Sequence, residues 1–330
     1  MKRALLMFVG VACVAAAAAA GWLYVFASNP LALPVTPFEF TVRPGASLKS
    51  LSRQLAEAGL LPEAHSFWLL GRVTQATGIQ AGNYRVEKPV TPLALLQKLI
   101  DGDVIPITVT FVEGITFAEM RRQLESTKDI KVTLQGLTDA EVLKRVGAAE
   151  AHPEGLFFPD TYRFAAGISD LELLRKSYQA MNRKLADAWA QRDANLPYAS
   201  PYQVLIMASI IEKETGRADE RPLIGSVFTN RLRIPMRLQT DPTVIYGMGR
   251  NFDGNIRKRD LSADTPYNTY TRDGLPPTPI AMPGRASLLA AVKPAQSDKL
   301  YFVAKGDGSH YFSRSLDEHN RAVAKYQLGR

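Results

Sequence analysis

The chain is poor in the residues that thiol and metal chemistry require. Cys13 is the only cysteine among 330 residues, so residues 28–330 can form neither a disulfide nor a thiolate metal site. The four histidines include no H-E-x-x-H pair, which excludes the common zinc-protease motif. The sequence also lacks a G-x-S-x-G nucleophile motif and a G-x-x-x-x-G-K phosphate loop. Acidic, aromatic and amide side chains are what remain for chemistry.

The N-terminus carries one long uncharged run, Ala4 to Ala27, directly after Lys2 and Arg3. At about 1.5 Å per residue this run is long enough to cross a bilayer core of about 30 Å. The basic residues before it favour a cytoplasmic start. We therefore expect residues 1–3 in the cytoplasm and an uncleaved transmembrane anchor over residues 4–27. A cleaved signal peptide is the alternative, because the alanines at 15–20 offer small-residue cleavage sites.

Composition and charge describe a folded protein with a modest basic excess. The chain is 46% hydrophobic and 22% charged, and its length allows two domains. Subtracting Lys2 and Arg3 from the net charge of +8 leaves +6 for the part beyond the membrane. These charges are scattered, which suits anionic headgroups or an acidic polymer and argues against nucleic acid as a partner.

A strand, a glycine turn and a capped helix follow one another twice, over residues 41–55 and 110–124. The prolines in residues 28–37 indicate a short stiff linker before the first copy. Another strand over 82–86 and a helix from Thr91 to Ile100 complete a small module. Residues 38–105 resemble a LysM module, which grips N-acetylated glycan backbones; the alternative is a packing module without a ligand.

Residues 106–330 predict a second, larger α+β domain. Two further capping boxes, at Thr138 and Ser169, open helices, and residues 301–312 have the pattern of a β-hairpin. Residues 255–284 are rich in proline, glycine, aspartate and asparagine, which indicates long ordered loops. The predicted fold class is therefore α+β, with an N-terminal transmembrane helix, a LysM-like module and a catalytic domain.

A helix that is apolar on nearly every face begins after Ser200, and we expect it to be buried. Ser200 is a suitable N-cap, Gln203 completes a capping box, and Gly216 should stop the helix. Glu212 lies in the last turn, where burial and the helix dipole both favour a protonated carboxyl. Such a carboxyl can serve as a general acid near neutral pH. Glu214 points to the opposite side, so the motif offers one acid rather than a pair; the alternative is a solvated helix end.

Two loop segments have the composition of a sugar-binding site. Gln239 and Asp241 precede a proline turn, and Asn268 lies between Tyr267 and Tyr270. Aromatic rings stack on the apolar faces of sugars, while amides bind hydroxyl and acetamido groups. The alternative is ordinary loop structure, in which Asx turns are packed over tyrosines.

Taken together, the motifs of the second domain resemble those of the YceG-like family, over nearly all of residues 38–330. The resemblance rests on Glu154-Gly155, Phe158-Pro159-Asp160-Thr161-Tyr162, the segment 208–215, Val227 to Leu232, Met236 to Gly247, Pro266 to Tyr270, Gly274 to Pro277 and Pro283-Gly284. Thr278 departs from it, because glycine is common there in the family.

The resemblance implies an endolytic murein transglycosylase of the inner membrane with a periplasmic catalytic part. Glu212 would match the catalytic glutamate, donating a proton to the glycosidic oxygen after N-acetylmuramic acid. It would then take the proton from the C6 hydroxyl of the same sugar, forming a 1,6-anhydro ring without cofactor or metal. Gln239, Asp241, Tyr267, Asn268 and Tyr270 are the expected substrate-binding residues. Peptidoglycan strands are the expected partner, and peptidoglycan synthases are candidate partners.

Two rival functions stay open at this point. The first is a muramidase, a hydrolase in which Asp241 would supply a second carboxylate. The second is a non-catalytic glycan-binding scaffold of cell-wall synthesis, in which Glu212 would be only a helix-end charge. The chemistry of the product ends distinguishes the first from a transglycosylase, and the absence of any released fragment would indicate the second.

Overall fold

The computed structural model describes residues 2–128, 130–165 and 167–329 and divides into two compact units. The N-terminal unit comprises Met1–Thr108 and Arg163–Ile168, and the C-terminal unit comprises Val109–Tyr162 and Ser169–Arg330. The return of residues 163–168 to the N-terminal unit was not indicated by the sequence. Strands β3 (Ile107–Thr110) and β4 (Thr161–Phe164) form a two-stranded sheet.

The N-terminal unit joins a long apolar helix to a small α+β module. Its elements are α1 (Lys2–Ser28), β1 (Phe38–Val42), α2 (Leu48–Glu57), α3 (Ala64–Val73), β2 (Gly82–Val86) and α4 (Pro92–Asp101). Strand β1 pairs antiparallel with β2, Phe40 opposite Tyr84, and every second residue of β1 is buried. The 22 residues Met7–Ser28 are long and apolar enough to span a bilayer. Whether this module binds glycan as a LysM module does stays a prediction.

The C-terminal unit is mainly helical, with one hairpin near its end. Its remaining elements are α5 (Phe117–Ser126), α6 (Asp139–Val146), α7 (Asp170–Ala190), α8 (Pro201–Glu214), α9 (Arg221–Arg233), α10 (Asp241–Met248), α11 (Lys258–Ser262), α12 (Arg285–Val292), β5 (Tyr301–Ala304), β6 (His310–Ser313) and α13 (Leu316–Tyr326). Strands β5 and β6 pair antiparallel, which confirms the predicted hairpin. The capping boxes at Thr116, Thr138 and Ser169 are also present. The predicted α+β class is confirmed.

Helix α8 is the centre of the C-terminal unit. All residues from Val204 to Ile211 are buried, as its apolar sequence predicted, and α7, α9 and α12 pack around it. The packing of α9 on α12 is close, because a Cβ on Gly225 would lie 2.7 Å from the Ala290 carbonyl oxygen. A rigid, buried helix therefore fixes the position of the acidic residues at its C-terminal end.

Both ends of α8 differ in detail from the prediction. Ser200 caps the helix, but the Gln203 side chain accepts its hydrogen bond from the Ala199 amide at 2.6 Å instead of closing a capping box. At the other end the helix stops at Glu214, because Thr215 already has an extended backbone. Gly216 therefore follows the C-cap, where a stop glycine was predicted, but it is not in the left-handed conformation of a glycine cap.

Candidate active site

The two glutamates in the last turn of α8 point to different surroundings, as the helical spacing predicted. Glu212 accepts a hydrogen bond from Arg221 Nη2 on Oε1 at 3.0 Å and one from the Gly284 amide on Oε2 at 2.8 Å. Its side chain is only 4% exposed. Burial of Glu212 was expected, but these two partners were not. Both partners are hydrogen-bond donors from other segments of the C-terminal unit.

Glu212 and Arg221 form a buried ion pair beside Glu113, whose side chain is 45% exposed, and together they join three parts of the unit. Arg221, the first residue of α9, also lies 3.7 Å from Glu113 Oε2. Burial raises the pKa of Glu113, and the charge of Glu212 acts in the same direction, while Arg221 opposes both. Gly284 leaves room for these side chains, since a Cβ there would lie 1.7 Å from Glu113 Oε1. Glu212 thus connects the ends of α8, α9 and α12, and both of its oxygens are engaged within the fold.

Glu214 is the last residue of α8 and lines a cavity of about 440 Å³. It is partly exposed, and its Oε1 accepts a hydrogen bond from the Thr240 hydroxyl. Burial raises the pKa of Glu214 to about 7. The negative charge of Asp241 raises this pKa further. The hydrogen bond from Thr240 and the electrostatic interactions with His310 and Arg231 lower it. A carboxyl with this pKa beside an open cavity is suited to general acid catalysis at neutral pH.

Three of the predicted substrate-binding residues line the same cavity as Glu214: Gln239, Asp241 and Tyr270. The Tyr270 hydroxyl donates a hydrogen bond to Asp241 Oδ1 at 2.6 Å. Gln239 has a positive φ of 50°, which is uncommon for a residue other than glycine. Its backbone N–H donates a hydrogen bond to the Thr269 carbonyl oxygen at 3.1 Å. Strained backbone of this kind is often found at functional sites. The fold therefore brings these three residues to Glu214, on the side of α8 away from Glu212.

The Asn268 side chain is engaged within its own loop. Its side chain is fully buried, and its amide nitrogen donates to the carbonyl oxygens of Asp260, Leu261 and Ala263 at 3.2, 3.1 and 2.7 Å. Its amide oxygen accepts from the Tyr270 backbone at 2.9 Å. These hydrogen bonds hold the loop that presents Tyr270. Substrate binding by Asn268 itself stays a prediction.

Tyr267 is not among the residues that line the cavity of Glu214. Its ring packs edge-on against Tyr246 with centroids 4.9 Å apart, and its hydroxyl shares a 2.8 Å hydrogen bond with Thr278. Thr278 is the residue at which the sequence departs from the family pattern. Substrate binding by Tyr267 stays a prediction.

Glu154 is a further buried acid, and it belongs to the Glu154-Gly155 motif of the family resemblance. Its side-chain oxygens accept hydrogen bonds from the Phe117 amide and the Tyr246 hydroxyl, each at 3.0 Å. It is 4% exposed, and burial raises its pKa to about 7, against the effect of both hydrogen bonds. Glu154 does not line the cavity of Glu214, so we assign it a structural role at the start of α5.

The cavity also contains residues that the sequence analysis did not select. Arg231 and His310 line it, and both are held in place by hydrogen bonds to other parts of the C-terminal unit. Arg231 lies in the Val227 to Leu232 segment of the family resemblance but was given no role there, and His310 is one of only four histidines. Within the described residues, no group of three or more His, Cys, Asp or Glu side chains is placed to hold a metal ion.

Comparison with known proteins identifies the family. The model of the YceG-like family matches residues 40–325. The chain belongs to this family. A Bacillus subtilis protein named "Endolytic murein transglycosylase" is 32% identical over 308 residues, covering 88% of this chain and 85% of that protein. A Streptococcus pneumoniae protein of the same name is 26% identical over 316 residues, and the match covers 86% of this chain but only 57% of that longer protein.

A solved structure agrees with this assignment. The crystal structure of a YceG-like protein from Listeria monocytogenes aligns with a TM-score of 0.55 and 31% sequence identity, covering 86% of this chain and 98% of that one. The family predicted from the motifs is thus confirmed. The names of the relatives also bear out the prediction of an enzyme of the lytic transglycosylase class.

Proposed function

We propose that this chain is an endolytic peptidoglycan lytic transglycosylase whose general acid is Glu214. The observation that carries the proposal is the position of Glu214, a carboxyl with a pKa of about 7 that lines one cavity with Gln239, Asp241 and Tyr270. The names of the relatives support the reaction and the polymer.

The reaction needs one group that is protonated at the start. Protonated Glu214 donates its proton to the glycosidic oxygen that leaves C1 of N-acetylmuramic acid. The C6 hydroxyl of the same sugar then attacks C1, closes the 1,6-anhydro ring and releases its proton, which restores the enzyme. No water is consumed. Asp241 and Tyr270 face the same cavity, where their polar atoms can orient the sugar and stabilise the positive charge that develops at C1.

Glu214 is a better candidate than Glu212, the residue expected from the sequence. Both oxygens of Glu212 accept hydrogen bonds, from Arg221 and from the Gly284 amide, so a proton transfer from it would require one of these bonds to break. Glu214 has one engaged oxygen and one that is available to the cavity. The assignment to Glu212 stays an untested prediction, and the same assay can decide between the two.

In this proposal the N-terminal unit anchors the enzyme at the membrane where glycan strands are made. Helix α1 would cross the inner membrane once, with its start in the cytoplasm, so that the C-terminal unit meets new glycan strands in the periplasm. The LysM-like module would hold the strand. Its surface carries a groove lined by Lys49, Arg53, Ala64, His65 and Trp68, in which the rings of His65 and Trp68 lie 5.4 Å apart. Cations beside an aromatic face suit a sugar polymer that bears carboxylates. Peptidoglycan synthases stay candidate partners.

A muramidase is the second candidate, because Asp241 lines the same cavity as Glu214 and could serve as a second carboxylate. Mass spectrometry of muropeptides released from uncrosslinked glycan strands separates the two functions. A transglycosylase leaves 1,6-anhydro ends, and a muramidase leaves reducing ends. We expect anhydro ends from the wild type and from Asp241→Asn, with a lower rate in the variant. Reducing ends from the wild type would contradict the proposed function.

A further inference from the structure

A histidine held by a carboxylate faces the cavity of Glu214. His310, the first residue of β6, places Nδ1 at 2.7 Å from Glu220 Oε2, and its backbone amide donates to Glu220 Oε1 at 2.9 Å. A carboxylate only accepts hydrogen bonds, so Nδ1 carries the proton and Nε2 of the neutral ring has a free lone pair.

The position of the His310 ring is fixed on several sides. Phe302 contacts it edge-on with centroids 5.5 Å apart, and Phe312 lies 6.3 Å away. The side chain is 13% exposed, and that of Glu220 is 11% exposed. Among the described residues, no hydrogen bond is made to Nε2. The ring is therefore oriented like a general base that a carboxylate supports, and it lines the same cavity as the acid.

The proposed reaction contains two proton transfers, and Glu214 is well placed for the first. Its Oε1 is engaged by Thr240. If Glu214 acted alone, its other oxygen would have to serve the departing glycosidic oxygen and the C6 hydroxyl in turn. A second group on the wall of the same cavity removes this conflict, since each group then needs only one position.

We propose that His310 is the base that deprotonates the C6 hydroxyl while Glu214 is the acid, an assignment that rests on the proposed function. The C1–O4 bond breaks, and O4 receives the proton of Glu214. The C1–O6 bond forms, and Nε2 of His310 takes the proton from O6. The proton then passes from His310 to the Glu214 carboxylate, directly or through solvent, and both groups return to their starting states. Glu220 is a positioning residue that holds the ring and stabilises its charged form.

His310→Gln tests this through the products as well as the rate. Without the base, the C6 hydroxyl attacks more slowly, and water competes for C1. We expect the rate of formation of anhydro ends to fall by about 10²–10⁴-fold, the usual contribution of a general base. The share of reducing ends among the released muropeptides should rise at the same time. A merely structural role would lower the rate without changing that share.

Two further variants complete the design, all in the full-length protein. Glu220→Gln retains the shape of the side chain but removes its charge, so it should raise the share of reducing ends by a smaller amount. It also tests the proposal if His310→Gln does not fold. His319→Gln is the matched control, because His319 lines the same cavity but stacks on Tyr301, and it should leave the share unchanged.

The outcomes separate this proposal from the one on which it rests. A wild type that makes no anhydro ends would overturn the proposed function itself. Anhydro ends from the wild type, with an unchanged product share in both His310→Gln and Glu220→Gln, would overturn the role of His310 alone. An equal change in His319→Gln would also overturn it, because the effect would then belong to the cavity and not to this ring.

Discussion

Replacing Glu154 by glutamine should make the stability of the C-terminal unit less dependent on pH. Glu154 is 4% exposed, and its pKa is raised from 4.5 to about 7 in the folded protein. As pH rises above 4.5, the unfolded chain releases this proton while the folded chain retains it. Rising pH therefore favours unfolding until about pH 7, where the folded carboxyl also ionises.

The magnitude follows from the two pKa values. At about 1.4 kcal/mol per pH unit, the change from 4.5 to about 7 corresponds to about 3 kcal/mol of unfolding free energy lost between pH 4.5 and 7. Glutamine has nearly the same shape and cannot ionise. Relative to the wild type, Glu154→Gln should thus gain about 3 kcal/mol on going from pH 4.5 to pH 8, whatever its cost at low pH.

Urea denaturation followed by tryptophan fluorescence measures this difference. Trp189 is the only tryptophan of the C-terminal unit, so a background with both Trp22→Phe and Trp68→Phe makes the signal specific. Glu172→Gln is a control of opposite sign, because the hydrogen bonds from Ser169 lower the pKa of Glu172. Its contribution to stability is lost as the pH falls below 4.5. Parallel pH profiles for the wild type and Glu154→Gln would refute the reasoning.

Three further predictions concern other parts of the chain. Asn268→Ala should lower the unfolding free energy by about 1–3 kcal/mol, because it leaves buried carbonyl groups without donors. Unchanged stability in thermal melts, together with a higher KM for glycan strands, would show instead that Asn268 contacts the substrate. Trp68→Ala, or deletion of residues 38–105, should weaken glycan binding more than it lowers the rate of the cleavage step. An unchanged apparent affinity in steady-state kinetics would leave the module with a packing role only. Residues 28–330 should be soluble without detergent, because the long apolar run precedes them; aggregation in size-exclusion chromatography that persists after refolding would count against this.

The sequence predicted the parts of the fold that depend on local rules. Ser47, Thr116 and Ser169 cap helices because a side-chain oxygen needs only an amide two or three residues away. The burial of α8 could also be predicted, since its apolar residues leave no polar face.

The site depends on contacts between distant segments, and these could not be predicted from spacing. The ion pair of Glu212 with Arg221 forms because α9 turns back beside the end of α8. The hydrogen bond that Glu214 accepts comes from Thr240, which is 26 residues away in the sequence. Two carboxyls in one helical turn therefore have opposite surroundings, and only the tertiary structure distinguishes them. The hydrogen bonds that Asn268 makes within its loop could likewise not be predicted from the composition of the segment.

A comparison of Glu214→Gln with Glu212→Gln decides which glutamate is the general acid. Each variant is incubated with uncrosslinked glycan strands, and the anhydro muropeptides are quantified by mass spectrometry against the wild type, with circular dichroism as the folding control. Glu214→Gln should fold and lose cleavage by about 10²–10⁴-fold or more. Glu212→Gln should melt at a lower temperature, because it weakens the buried pair with Arg221, yet its folded fraction should still release anhydro ends. The reverse pattern, in which Glu214→Gln cleaves normally and a folded Glu212→Gln does not, would contradict the account.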